Sequence, residues 1–111
     1  QPIILNHEPL LCFGGQMNNR TWHFFGHVHT SKTESQGADY KLVKTMTTPS
    51  MYDVGADFND FTPIKWQEVR GIVKQQIKHK MNFIEYYNYA QASKLGKILI
   101  KIRKRFVNFF S

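Results

Sequence analysis

Trp22-His23-Phe24-Phe25-Gly26-His27-Val28-His29 sets a run of large, β-favouring residues directly ahead of a Gly-His-x-His segment. Residues 22 to 25 read as a strand, and Gly26 stops it. In extended backbone, residues i and i+2 point to the same side, so His27 and His29 can reach one site together. Loops that leave strand ends are where sheet proteins usually present reactive groups.

The chain ahead of this stretch repeats the pattern. Pro2 to Asn6 carries Ile3-Ile4-Leu5 and reads as a short buried strand, ended by His7-Glu8-Pro9. A lone histidine, His7, thus follows a second strand. Leu10 to Arg20 contains Gly14-Gly15 and Asn18-Asn19 and reads as loop. After the histidine pair, Thr30 to Ala38 is polar and reads as an exposed loop. Tyr40 to Thr47 shows some alternation and reads as a weak strand. Met51 to Phe58 reads as a third strand, with Gly55 inside it as a bulge or a point of close approach. From Trp66 the period changes: Trp66, Val69, Val73 and Ile77 recur at helical spacing. Met81 to Tyr89 reads as helical, and Lys94 to Phe110 as a basic amphipathic helix. The fold class is therefore α/β.

At 111 residues the chain suffices for one small domain. It begins directly in an apolar stretch, which reads as a piece of something longer. A secretory leader pattern is lacking, and the apolar runs fall short of the ~20 residues of a membrane span. Cys12 is the single cysteine, so an internal disulfide is excluded and a reducing, cytoplasmic setting is expected. The net charge is +7, yet residues 94 to 105 hold six cations and no acid. The rest of the chain carries only one net positive charge, so the basicity belongs to the C-terminal tail.

Imidazole suits zinc, iron, manganese or nickel. Taken alone, His27-x-His29 reads first as two half-exposed histidines hydrogen-bonded at a strand end, with metal ligation as the alternative. Three blocks together are more specific: Ile3 to Leu10, Trp22 to His29, and Tyr52-Asp53-Val54-Gly55-Ala56-Asp57 running on to Ile64. Their order, from residue 3 to about residue 77, resembles the last blocks of small calcineurin-like metallophosphoesterases of bacterial and phage type. That family ends with a lone histidine after an aliphatic strand, then Gly-His-x-His, then a segment like Asn-Val-Gly-x-Asp, a proline and a helix.

The resemblance implies that residues 1–79 form the C-terminal part of a metallophosphoesterase domain, and that residues 80–111 form a helical, basic tail. The domain would be part of a two-sheet sandwich flanked by helices. His7 and His27 would ligate the second of two metal ions and His29 the first. The ions would be manganese, iron, zinc or nickel, two per complete site. In such sites the ions stand ~3.5–4 Å apart and activate a bridging water for in-line attack on a phosphoester. Substrates would be phosphomonoesters or phosphodiesters. The family's Asp-x-His, Gly-Asp and Gly-Asn-His blocks have no counterpart here. No catalytic residue is therefore assigned, and the isolated chain is expected to be inactive. Partners would be a missing N-terminal half or further copies of the chain, since half a sandwich exposes a sheet face meant to be covered.

Departures from the family pattern are Asn6 in place of serine, Glu8 in place of an aromatic, and Asp53 where asparagine is common. Glu8 reads as a surface residue. Asp53 and Asp57 read as turn residues, with orientation of a histidine as the alternative role. The resemblance gives His23 no role. His79, between two lysines, reads as solvated, and Cys12 reads as a small buried apolar residue. In the tail, Leu95, Ile98, Leu99, Ile102, Phe106 and Phe109 share one helical face, with Lys97, Lys101 and Lys104 broadly opposite. Packing of that face on the protein, contact of residues 94–110 with a membrane surface or a protein partner, and nucleic-acid binding all suit it. The last is disfavoured by the lack of a nucleic-acid motif. The competing class to an enzyme is an inactive phosphoesterase-derived module that docks through this tail.

Overall fold

The computed structural model describes residues 1–26 and 38–110, with side chains described over residues 1–26 and 40–98. The loop expected over Thr30 to Ala38 lies, but for Ala38, outside the described residues, as do His27 and His29. Among the described residues there are three strands and three helices: β1 (Ile3–Leu5), β2 (Trp22–Phe25), α1 (Ala38–Met46), β3 (Met51–Asp53), α2 (Trp66–His79) and α3 (Phe83–Phe110). The strands form one parallel sheet in the order β1-β2-β3. Ile4 pairs with His23, and Phe24 with Tyr52. Parallel neighbours require crossover connections. α1 lies on the crossover from β2 to β3, whereas residues 6–21 cross from β1 to β2 through turns alone.

β2 is central, and all four of its residues are buried. Trp22 and Phe24 meet Trp66 of α2, with ring centroids 6.1 and 6.3 Å apart. Phe25 stands edge-on to Phe83 at the start of α3, and Phe83 also meets Tyr52 and Phe58. Rings packed edge to face satisfy their quadrupoles as well as burying area. The first turn of α3 therefore belongs to the core, through Phe83 and Ile84, and the separate helices expected over Met81 to Tyr89 and Lys94 to Phe110 are one continuous helix.

The two sheet edges differ. On β3, Ser50 O accepts from His23 N on the inner side, and Met51 O points outward. Gln76 of α2 donates from Nε2 to Pro49 O at 2.9 Å and to Met51 O at 3.0 Å. The helix thus covers an edge that would otherwise offer bare carbonyls. β1 has no such cover among the described residues. The expectation of a buried first strand is corrected: Ile3 is 37 % and Leu5 75 % exposed. Nearby in sequence, Leu11 and Met17 are exposed as well.

Four further readings change. The segment expected as a weak strand over Tyr40 to Thr47 is helical through Met46, as part of α1, because its buried positions follow a helical period. Val43 is fully buried, Tyr40 and Thr47 sit on the same side, and Leu42 is exposed. Thr47 continues the turn by donating to Val43 O. The third strand ends at Asp53, and residues 55–62 form turns. Cys12 is exposed, not buried. His79 is half-buried, lying against Tyr86 and Tyr89, and not simply solvated.

α3 starts at a reciprocal cap. Glu85 N donates to Asn82 Oδ1 at 2.9 Å, and Asn82 N donates to Glu85 Oε1 at 3.2 Å. The same asparagine donates from Nδ2 to Lys44 O at 2.7 Å, tying α3 to α1. Asn82→Ala removes both devices and should cost about 1–2 kcal/mol. A lower urea midpoint with an unchanged slope checks this, and an unchanged midpoint would mean that the cap contributes nothing.

Candidate functional site

The carboxyl ends of parallel strands, with the loops that leave them, are the usual ligand-binding edge of an α/β sheet. Here three loops leave that edge. The first carries His7, which is exposed. Asn6 N donates to Phe24 O, so pairing with β2 runs one residue past the strand, and Gly26 N donates to His7 O at 3.2 Å. The loop is closed on its outer side by Asn6 Nδ2, which donates to Glu8 O at 2.8 Å. Glu8 is exposed, in line with its reading as a surface residue.

His23 fixes the other end of this loop. Its side chain is fully buried. Leu10 N donates to His23 Nε2 at 3.0 Å, and His23 Nδ1 lies 3.1 Å from Ile4 O. A backbone N–H can only donate, so Nε2 is the bare acceptor and Nδ1 carries the proton that goes to Ile4 O. One imidazole on the central strand thereby joins β1 to the turn that follows it. Phe13 packs edge-on against the same ring at 5.3 Å. His7 sits between Ile4 and Leu10, the two points that His23 holds.

The second and third loops meet through glycine. Val54 N donates to Phe25 O at 2.9 Å, which brings Gly26 beside Gly55. A Cβ on Gly55 would stand 2.9 Å from Asp53 Oδ1, 3.3 Å from Gly26 O and 3.5 Å from Gly26 Cα. Close approach is therefore the role of Gly55, one of its two expected roles. The buried Asp53 accepts from Gly55 N at 2.8 Å through Oδ1, the turn role expected of it. Asn59 organises the rest of this loop. Its Nδ2 donates to Asp53 O and Gly55 O, and its Oδ1 accepts from the Tyr52 hydroxyl at 2.9 Å. Burial, helped by Asp53, Glu68 and Asp60, pushes the Tyr52 phenol above its ordinary range, so it stays a donor to Asn59. Asp60 and Phe61 both have φ near +58°, a region that side chains other than glycine seldom adopt. Beside this loop lies a cleft of about 400 Å³ lined by Tyr52, Asn59, Asp60, Thr62, Lys65 and Glu68 among others.

Of the three expected metal ligands, His7 is placed at the carboxyl edge of the sheet, and His27 and His29 lie outside the described residues. Among the described residues no group of three or more His, Cys, Asp or Glu side chains is arranged to hold a metal ion. A single imidazole cannot form a metal site alone. Residues missed in the sequence are His23, Asn59, Gln76 and Asn82, all buried and all hydrogen-bonded to main chain. Only Asn82 had a readable signal, the Asn-x-x-Glu spacing ahead of an apolar run. Comparison with protein-family models, with curated proteins and with solved structures finds no match.

Adding a methyl group at Gly55 should disturb this edge. Gly55→Ala is expected to lose about 1–3 kcal/mol by overpacking. Gly71→Ala, in the middle of α2 with nothing within 4 Å of its added Cβ, should gain about 0.5–1 kcal/mol. Thermal melts of the two variants check the pair, and a Gly55→Ala melt equal to wild type would remove the close-approach role.

Proposed function

We propose that this chain is the C-terminal part of a calcineurin-like metallophosphoesterase, supplying His7, His27 and His29 to a dinuclear site that hydrolyses phosphomonoesters or phosphodiesters. The observation that carries the reading is the hydrogen bond from Gly26 N to His7 O. It sets the main chain of His7 against the residue that immediately precedes His27. Two adjacent strands thus end side by side, and an exposed imidazole leaves from one of them. Ligation of a shared ion by residues from separate segments requires such an arrangement.

His7 and His27 would hold the second ion and His29 the first. Bound there, paired divalent transition metals supply Lewis-acid charge and an activated water for attack at phosphorus. The side chains of this chain contribute ligation and placement: His23 orients the segment that carries His7, and Gly55 lets the third loop close against Gly26. Carboxylate and asparagine ligands would come from an N-terminal half. The exposure of β1 supports that part of the reading, since parallel sheets are normally covered on both faces. A second sheet packed there would complete the sandwich. By itself the chain binds metal without turnover.

Metal content after manganese loading, with hydrolysis of bis-p-nitrophenyl phosphate, tests this on the wild-type chain and on a His27→Ala, His29→Ala variant. The expected result is metal bound by the wild type and affinity reduced in the variant by more than the roughly 10–100-fold typical of losing an outer-sphere partner. Equal metal content in the two proteins would overturn the ligand assignment. Turnover by the wild-type chain alone would overturn its incompleteness.

A further inference from the structure

α3 is one helix of 28 residues, about 42 Å long at 1.5 Å per residue. Among the residues whose side chains are described, only its beginning belongs to the core, through Phe83 and Ile84, with Tyr87 packed against it. Every described residue from Gln91 to Ile98 except Gly96 is exposed, including two large aliphatic ones: Leu95 at 57 % and Ile98 at 47 %. The helix has left the body of the protein at this point, and the molecule is elongated, 59 × 28 × 25 Å.

The sequence of this outer part is ordered around the helix. At 100° per residue, Leu95, Ile98, Leu99, Ile102, Phe106 and Phe109 fall on one face by position. Arg103 and Arg105 occupy positions on either flank of that face, and Lys97 and Lys104 occupy positions opposite. Residues 94 to 105 contain no acid, while the remainder of the chain is nearly neutral. Two exposed aliphatic side chains, Leu95 and Ile98, thus stand at the start of an apolar stripe and a concentrated positive charge that share one helix.

We infer that the C-terminal part of α3 binds an anionic lipid surface, lying in the plane of the headgroups with its apolar face toward the acyl chains. Charge complementarity selects this occupant. Cations flanking an apolar stripe reach lipid phosphates while the stripe enters the hydrocarbon boundary, which is the geometry of an interfacial helix. A nucleic acid would use the cations and leave Leu95 and Ile98 in water. Crossing the bilayer is a different mode, and among the described residues no helix is long and apolar enough for it. Each cation near an anionic leaflet raises affinity roughly fivefold. Binding of this kind is independent of metal at His7.

Co-sedimentation of the full chain with phosphatidylcholine vesicles, with and without phosphatidylserine, tests the inference. Binding should be at least roughly tenfold tighter to vesicles with phosphatidylserine and should weaken with added salt. An Arg103→Glu, Arg105→Glu variant, altered at the two flanking positions, should lose roughly 25-fold or more in affinity for them. Ile98→Glu, at an exposed position, should lose binding while its circular dichroism and melting temperature stay at wild-type values. Equal binding to both vesicle types, or none to either, overturns the inference. Unchanged binding by Ile98→Glu also overturns it, because adhesion would then be charge alone. Tight binding to a duplex oligonucleotide by a chain that ignores the vesicles would replace lipid with nucleic acid.

Discussion

The buried imidazole of His23 is the constraint on which the candidate site depends. A three-residue edge strand such as β1 has few hydrogen bonds of its own and offers little area to the core. Its position comes instead from β2, through the ladder and through His23, which holds Ile4 O with one ring nitrogen and Leu10 N with the other. The two anchor points bracket residues 5 to 9. A loop exposed to water thereby gains a defined exit from the sheet without an apolar side chain of its own in the core. Replacing the ring by an apolar residue would take from the part-buried Leu10 N the acceptor it has here.

Similar economy holds elsewhere in the molecule. Asn59, Gln76 and Asn82 each present an amide to carbonyls of another segment: Asn59 to the turn after β3, Gln76 to the outer edge of β3, and Asn82 to the end of α1. Such bonds contribute only about 1 kcal/mol each, but they are directional and specify where a short element ends. The aromatic cluster of Phe25, Tyr52, Phe58 and Phe83 contributes non-directional burial. Apolar packing holds the layers together, and of the buried amides Asn59 stands at the edge from which the three loops emerge.

Elements with strong periodicity were legible in the sequence. β2 was readable from four consecutive large residues, and α2 from the spacing of Trp66, Val69, Val73 and Ile77. α1 was not, because Tyr40 and Leu42 mimic strand alternation, and only burial of Val43 against exposure of Leu42 distinguishes the two periods. The third strand looked longer than it is, since Phe58 is apolar for a turn that folds back onto Phe83. Gln76 interrupts the apolar face of α2 at a fully buried position, and its reason, an uncovered strand edge, is tertiary. His23 could not be assigned because its partners, Ile4 and Leu10, are 19 and 13 residues away. The proximity of the His7 and Gly26 segments follows from adjacent parallel strands, so that part of the site was implied once both strands were recognised.

A single experiment bears most directly on whether the carboxyl edge of the sheet is a metal site. Manganese is paramagnetic and broadens amide resonances near the place where it binds. Titrated into the isotopically labelled chain, it should broaden the amides of His7, Gly26 and Gly55 together and first, as expected of an ion held where the three loops meet. Broadening that appears elsewhere while those three amides stay sharp would contradict the account, and the carboxyl edge would then be a structural junction without a metal.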